Sequence, residues 1–380
     1  MAFEHYIQSG GKRLRCGYTT GTCAALAASA AVRFLLSGET LNEVSLATPK
    51  GWSVTVPVCR AEMRGGTAVC AVQKDGGDDI DATNGLWIEA HVSKTNEPGV
   101  AVDGGAGVGR VTKPGLDQPV GAAAINRVPR RMIEEEILGV CRELSYEGGI
   151  RAVICVPGGE QIAAKTFNPQ LGIEGGISIL GTSGIVEPMS VQALIDTVTL
   201  SLRQAKAQGA RRVVLTPGNY GEDFLRTFAP ASGVPVAKCS NFIGEALDEA
   251  AALEFEDVLL VGHAGKLVKL AGGIMNTHSR WADCRTELFC AHAAVCGAPR
   301  EVCEELLHAA TSDACLTILQ QAGLREPVME SLLEAVEAHL VRRAAGAYRV
   351  GAVLFTNEFG FLGQTESAAR ILADWRGQTT

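Results

Sequence analysis

Apolar positions follow two different rhythms along this chain. Up to about residue 190, short alternating runs predict strands at Val44–Thr48, Ser53–Cys59, Thr67–Gln73 and Leu86–Ser93. They follow an alanine-rich stretch, Thr20–Leu36, whose composition predicts a buried helix. Beyond a Gly/Pro-rich loop, Pro98–Pro119, a helix is expected at Arg130–Leu144, with Glu134, Glu135 and Glu136 near its start, and then a strand at Arg151–Val156. From residue 190 onward, strand-length apolar runs alternate with longer helical ones. These are helix Ser190–Gln208, strand Arg212–Thr216, helix Gly221–Phe228, strand Val234–Lys238, helix Phe242–Ala252 and strand Asp257–Val261. Helices at Ala282–Cys296, Arg300–Ala309, Ser312–Ala322 and Pro327–Arg343 precede one more strand, Arg349–Phe355.

The first rhythm predicts an α+β N-terminal domain. The second predicts an α/β doubly wound, Rossmann-like domain with a mostly parallel sheet. No linker marks the change, which falls near Glu187–Gln192 and gives expected domains 1–189 and 190–380. A length of 380 residues suits two cores better than one. Disorder is expected only in the first dozen residues and the last few.

Charge narrows the function classes. A formal net charge of −8 argues against a general basic field, so no nucleic-acid partner is expected, and a polyanionic ligand would need a local cationic cluster. The most apolar segment, Thr20–Leu36, contains Arg33 and starts in a turn-like GYTTGT, so it reads as a core helix rather than a membrane span or secretory signal. The twelve cysteines are scattered with no C-x-x-C, which points to a reducing cytoplasm. A homodimer is the expected assembly on general prevalence alone.

Two stretches crowd glycine and small hydroxyls between apolar runs: GIEGGISILGTSGIVEPMS from Gly172 to Ser190, and GHAGKLVKLAGGIMNTHSR from Gly262 to Arg280. Backbone N–H groups in such segments can approach a ligand closely. Thr19, Thr20 and Thr22 lie at the start of the first helix, where free N–H groups and hydroxyls suit an anion or serve as an ordinary N-cap. Lys74, Asp75, Asp78, Asp79 and Asp81 put four carboxylates and one ammonium within eight residues. Such a cluster could hold a hard cation, raise the pKa of its members enough for proton transfer, or form a solvated turn.

Arg110, Lys113, Arg127, Arg130, Arg131, Lys165, Lys266, Lys269, Arg280 and Arg285 would make a positive basin if they converged. In an open parallel sheet, ligands bind beyond the carboxyl ends of the strands. Three loops, Thr216–Asn219, Gly262–Lys266 and Thr356–Glu358, should therefore share one edge, with His263 a candidate acid–base group or ligand contact. Asn276, His278 and Ser279 fall in a polar loop nearby in sequence. Cys284, Cys290 and Cys296, with Cys303 and His292, do not suggest a metal centre, because steps of six residues turn each cysteine about 240° around a helix.

The segments LRCGYTTGTCAA, KDGGDDIDATNG, GVGRVTKPGL, NPQLGIEGGISILGTSGIVEPMS and GHAGKLVKLAGGIMNTHSR, in this order, resemble the cobalt-precorrin-5B (C1)-methyltransferase family, CbiD, over nearly the whole chain. The resemblance implies methyl transfer from S-adenosylmethionine to carbon 1 of a cobalt-bearing macrocycle, giving cobalt-precorrin-6A in anaerobic cobalamin biosynthesis. It implies no protein-bound metal, since cobalt arrives inside the corrinoid. The cofactor would sit on Gly218, Asn219, Gly221, Gly262 and Gly265. The carboxylates of the substrate would meet Thr19, Thr20, Thr22, Lys74, Arg110, Lys113, Arg130, Lys266, His278 and Arg280. Asp75, Asp78, Asp79 and His263 are the candidate catalytic groups. Two other readings are a non-catalytic corrinoid carrier and a small-molecule kinase, the latter lacking a Walker-type phosphate loop.

Overall fold

A computed structural model describes residues 3–9, 11–166, 168–169, 171–228 and 231–377. The chain divides into two compact units, Met1–Ser190 and Val191–Thr380.

In the first unit a five-stranded sheet is built from β1 (Arg60–Arg64), β2 (Thr67–Gln73), β3 (Trp87–Thr95), β4 (Val100–Gly104) and β5 (Gly149–Cys155), in the spatial order β1-β2-β3-β5-β4. All its pairings are antiparallel except that of β5 with β4. Alternate residues supply the face that packs on the helices. Ala68, Cys70 and Val72 of β2, Ile88, Ala90 and Val92 of β3, and Ile150, Ala152 and Ile154 of β5 join one core with helices α1 (Thr20–Ser37) and α2 (Arg127–Glu143). The opposite face carries polar groups, including Glu89, which accepts from Arg60 at 2.7 Å and bonds His91 at 3.0 Å.

Helix α1 is long and apolar enough to cross a membrane by length and composition, but 72% of it lies inside the fold. Its alanines give it almost no width, so it buries on every side from Thr20 to Val32. Before it, where disorder was expected, Tyr6–Ser9 pairs with Lys12–Arg15 as a hairpin. Arg13 lies over the Tyr6 ring, and Arg15 is tied to Asp75. The Pro98–Pro119 loop also contains an unexpected strand, β4, which the Gly/Pro content around it obscures.

The second unit holds α3 (Val191–Ala207), β6 (Arg212–Thr216), α4 (Asn219–Thr227), β7 (Val236–Lys238), α5 (Ile243–Ala252) and β8 (Asp257–His263). Helices α6 (Arg285–Val295), α7 (Arg300–Leu307), α8 (Ser312–Gln321) and α9 (Arg325–Ala344) follow, then β9 (Arg349–Thr356), β10 (Gly360–Gln364) and α10 (Glu366–Gly377). The sheet order is β7-β6-β8-β9-β10, parallel except for the edge strand β10. Strands here are apolar on both sides because helices cover both faces. Val213, Leu215, Val258 and Leu260 face a core shared with α3, α5 and α6–α9, while Val214, Leu259 and Val261 face α4 and α10.

At the amino ends of the strands, Asp257 is 2% exposed and accepts from Arg349 at 2.7 and 3.0 Å and from the Trp375 indole at 2.7 Å. This ties that edge shut. The other edge stays open, because β6 leads outward to β7 and β8 leads outward to β9, leaving the carboxyl ends of the central pair uncovered by a crossover.

Candidate functional site

A cleft of about 690 Å³ lies beyond the carboxyl ends of β6 and β8. Pro217, Gly218, Asn219, Tyr220 and Gly221 form one wall, and Gly262, His263, Gly265 and Lys266 another. Both walls depend on glycine. A Cβ on Gly221 would stand 1.6 Å from Thr216 Oγ1, so only glycine lets α4 begin against the end of β6. All five glycine and asparagine positions expected around a cofactor therefore meet in one place, with His263 and Lys266. The third expected loop, Thr356–Glu358, does not line the cleft, which sits on the β6/β8 side of the sheet.

Two side chains in the cleft have well-defined states. His263 Nδ1 accepts from the Gly265 N–H at 3.1 Å, so in the neutral ring Nε2 carries the proton. Burial, partly opposed by Asp313, keeps the imidazole below its usual pKa and thus neutral at pH 7. In this tautomer the ring is a hydrogen-bond donor and has no free basic nitrogen. Lys266 Nζ donates to Pro217 O at 2.9 Å, and burial lowers the pKa of its ammonium. Tyr220 is 64% exposed at the mouth, its ring centroid 6.3 Å from that of His263.

Residues that the chain pattern did not single out complete the cleft: Thr311, Ser312 and Asp313 at the start of α8, together with Asp223. Thr-Ser-Asp reads locally as an ordinary N-cap, and Thr311 does accept from Ala314 N at 3.1 Å. Only the tertiary fold turns the two following side chains toward the cleft. Ser312 Oγ and Asp313 Oδ1 are buried with no hydrogen-bond partner among the described residues.

His278 and Arg280 do not reach this cleft. They lie on an exposed turn in which His278 Nδ1 accepts from Arg280 N at 3.0 Å. The buried Lys269 holds the turn from beneath by donating to Thr277 O at 3.0 Å and Ala282 O at 2.9 Å. Arg285, which does line the cleft, is paired with Asp283 at 2.5 Å. Cys290 and Cys303 meet across α6 and α7, while His292 turns to Ser331 at 2.8 Å. Among the described residues no group of His, Cys, Asp and Glu is arranged to hold a metal ion.

The first unit answers its expectations differently. Thr19 accepts from Thr22 N at 3.2 Å, Thr20 Oγ1 accepts from Leu180 N at 2.9 Å, and Thr22 Oγ1 donates to Gly184 O at 2.7 Å. All three hydroxyls are thus spent inside the fold and do not present an anion site. Their partners come from the first glycine-rich stretch, whose glycines serve chain-to-chain contact: a Cβ on Gly181 would stand 2.2 Å from Thr19 Oγ1.

The carboxylate cluster is likewise partnered. Asp75 accepts both Arg15 guanidinium nitrogens at 2.6 and 2.8 Å, and this pairing lowers its pKa. Asp78 accepts from Arg15 N at 2.6 Å and Asp79 from Met189 N at 3.3 Å. Asp81 pairs with Lys74 at 2.8 Å; burial alone would raise its pKa, but Lys74 and Thr83 bring it below normal. Asp75 and Asp81 are thus lowered rather than raised, because each has a cation of its own. Arg15, Tyr18, Lys74, Asp75 and Asn84 line a smaller cavity of about 350 Å³.

Nor do the cations of this unit stand free as a basin. Arg110 binds Asp103 at 2.8 Å, Arg127 binds Asp117 at 3.0 Å, and Arg131 faces Glu135 at 3.8 Å. Lys113 packs beside Gly172, where a Cβ would stand 2.5 Å from its side chain. Arg130 donates to Val102 O at 2.5 Å but leaves a buried Nε with no partner among the described residues.

A parallel α/β unit whose strand ends open on a cleft of small-molecule size, joined in one chain to an α+β unit, is the class of protein that the fold defines. Family models narrow it: CbiD matches residues 7–188 and the CbiD C-terminal domain matches residues 276–366. A cobalt-precorrin-5B C(1)-methyltransferase of Ruminiclostridium cellulolyticum is 48% identical over 93% of this chain and 92% of its own length. One from Alkaliphilus metalliredigens is 43% identical over 97% of each. A solved structure of a cobalamin biosynthesis protein (cbiD) from Archaeoglobus fulgidus is 33% identical, with a TM-score of 0.40 over 72% of this chain and 86% of that one. The chain belongs to the CbiD family.

Proposed function

We propose that this chain methylates carbon 1 of cobalt-precorrin-5B with S-adenosylmethionine as donor, giving cobalt-precorrin-6A. The near full-length identity of 48% to a protein bearing that name carries the reading. The cleft at the β6/β8 edge supports a seat for the donor, in what we infer is a Rossmann-like, doubly wound unit. Its volume of about 690 Å³ lies in the range of small-molecule sites, and where a Cβ on Gly218 would stand, no described residue beyond its chain neighbours comes within 4 Å. The two orphaned polar atoms beside it are groups that a ligand would satisfy.

S-adenosylmethionine, when bound, would supply the methyl group on an electrophilic sulfonium. The rest of the mechanism is positioning. Alignment of two bound reactants can supply ~7–11 kcal/mol of a displacement barrier, so no protein nucleophile is required. Gly218, Asn219, Gly221, Gly262 and Gly265 would let backbone approach the donor. The Tyr220 ring offers a face for a planar base. His263 would donate from Nε2 and Lys266 from its ammonium, both held in place by bonds to the chain itself. The first unit would hold the macrocycle, with Arg15, Lys74 and Arg130 as the groups nearest its cavity or carrying spare donors. The cobalt belongs to the substrate. We place the protein in the cytoplasm, where its twelve thiols, all unpaired in the fold, stay reduced, and as a homodimer on general prevalence.

The decisive experiment is anaerobic incubation with cobalt-precorrin-5B and methyl-labelled S-adenosylmethionine, followed by mass spectrometry of the corrinoid. One labelled methyl gained is the expected result. A corrinoid that stays bound and unlabelled would replace this reading with that of a carrier.

A further inference from the structure

The start of α8 contains the one feature of the cleft that the fold itself does not explain. Ser312 is 2% exposed and lines the cavity, yet its Oγ has no partner among the described residues. It faces the glycine loop: a Cβ on Gly265 would stand 3.6 Å from that oxygen. Asp313, next in the chain, keeps a buried Oδ1 equally without a donor. A buried polar atom left unpaired bears the full loss of its hydration, and a carboxylate oxygen bears more than a hydroxyl. Such a pair is tolerable where a ligand supplies the missing donors.

The charges around it indicate which donor. Lys266 and Arg285 line the same cleft, but Arg285 is already neutralised by Asp283, and Lys266 spends one of three protons on Pro217 O. His263 is a neutral donor. One carboxylate oxygen without a donor and one ammonium with donors to spare match a ligand that carries both charges. We propose that Ser312 and Asp313 form the subsite for the α-ammonium of the amino-acid tail of the methyl donor, with Lys266 the cation for the carboxylate of that tail. The assignment rests on the donor-site reading above and adds to it the end of the ligand that α8 selects.

Two ligands separate the possibilities by calorimetry on the full chain. S-adenosylhomocysteine carries the zwitterionic tail, and 5′-methylthioadenosine keeps the base and ribose but lacks it. Asp313→Asn should weaken S-adenosylhomocysteine by about ten- to a hundredfold, the range for a hydrogen bond to a charged group. It should leave 5′-methylthioadenosine within about twofold, a difference too small to reflect a lost bond. Ser312→Ala should move the two ligands in the same directions with a smaller loss, and it carries the test if Asp313→Asn does not fold. Equal weakening of both ligands would assign α8 to the ribose or base and overturn the proposal, as would no weakening of either. If the unaltered protein binds neither ligand, the donor site itself is wrong and the subsite falls with it.

Discussion

Two hydroxyl-rich helix starts in this chain look alike in sequence and differ in what surrounds them. At α1, Thr19, Thr20 and Thr22 are all buried, and each hydroxyl meets a backbone or side-chain partner, two of them in the Leu180–Gly184 segment. At α8, Thr311 caps the helix, but Ser312 and Asp313 beside it keep buried oxygens with no partner among the described residues. The first start is sealed by a chain segment that lies over it; the second faces a cleft. Hydroxyls at a helix N-terminus therefore mark either a structural lock or a ligand contact, and the covering segment decides between them.

The same contrast extends to charge. In the first unit the Lys74–Asp81 and Arg15–Asp75 pairs are closed, whereas in the second unit Lys266 donates to a carbonyl oxygen and forms no ion pair among the described residues. Breaking a closed pair should be the most damaging change. Lys74→Met leaves Asp81 part-buried without its cation and should cost about 3–5 kcal/mol, read as a lower urea midpoint. An unchanged midpoint would mean that the pair is not the lock described here.

Next is the sealed helix start. Thr22→Val removes the hydroxyl donor to Gly184 O and the contact with Thr19 Oγ1, while Thr19 Oγ1 keeps Thr22 N and Gly184 O keeps Thr19 N, for an expected loss of about 0.5–1.5 kcal/mol by the same denaturation assay. A smaller effect should appear in acid. The pKa of Asp75 lies below the ordinary carboxylate value because of Arg15, so its contribution is present above about pH 4 and is lost as pH falls through the lower folded value. Asp75→Asn should lower stability at pH 7 and flatten its decline below about pH 4. A variant that keeps the full acid decline would remove Asp75 from the acid-sensitive set.

The smallest loss should come from the open start. Ser312→Ala deletes a buried oxygen with no partner among the described residues, so it should cost no stability and can raise it by up to about 1–3 kcal/mol. A loss as large as that of Thr22→Val would erase the comparison, because Ser312 would then be structural as well.

Much of the fold was legible along the chain. Strand Thr67–Gln73 and strand Arg212–Thr216 have the expected bounds, and the helices of the second unit from α3 to α9 fall within a few residues of expectation, whereas α10 was not expected at all. Periodicity carries that information because strand and helix bury every second and about every 3.6th residue. Strands at Val100–Gly104 and Gly360–Gln364 were not legible, since glycine at their ends looks the same in a loop. Of the candidate site, Gly218, Asn219, Gly221, Gly262, Gly265, His263 and Lys266 could be found because they follow the ends of two predicted strands.

By itself, then, the sequence determined the two-part division, the parallel second sheet, the family and the residues at its central strand ends, all of which are local or periodic properties. Only the tertiary structure decided that the aspartates after Lys74 each find a separate donor, that the Gly172–Ser190 stretch lies over α1, and that Ser312 and Asp313 face the cleft. Hydrogen-bond partners and buried charges depend on segments far apart in the chain, and no pattern within one segment shows which of them will be covered.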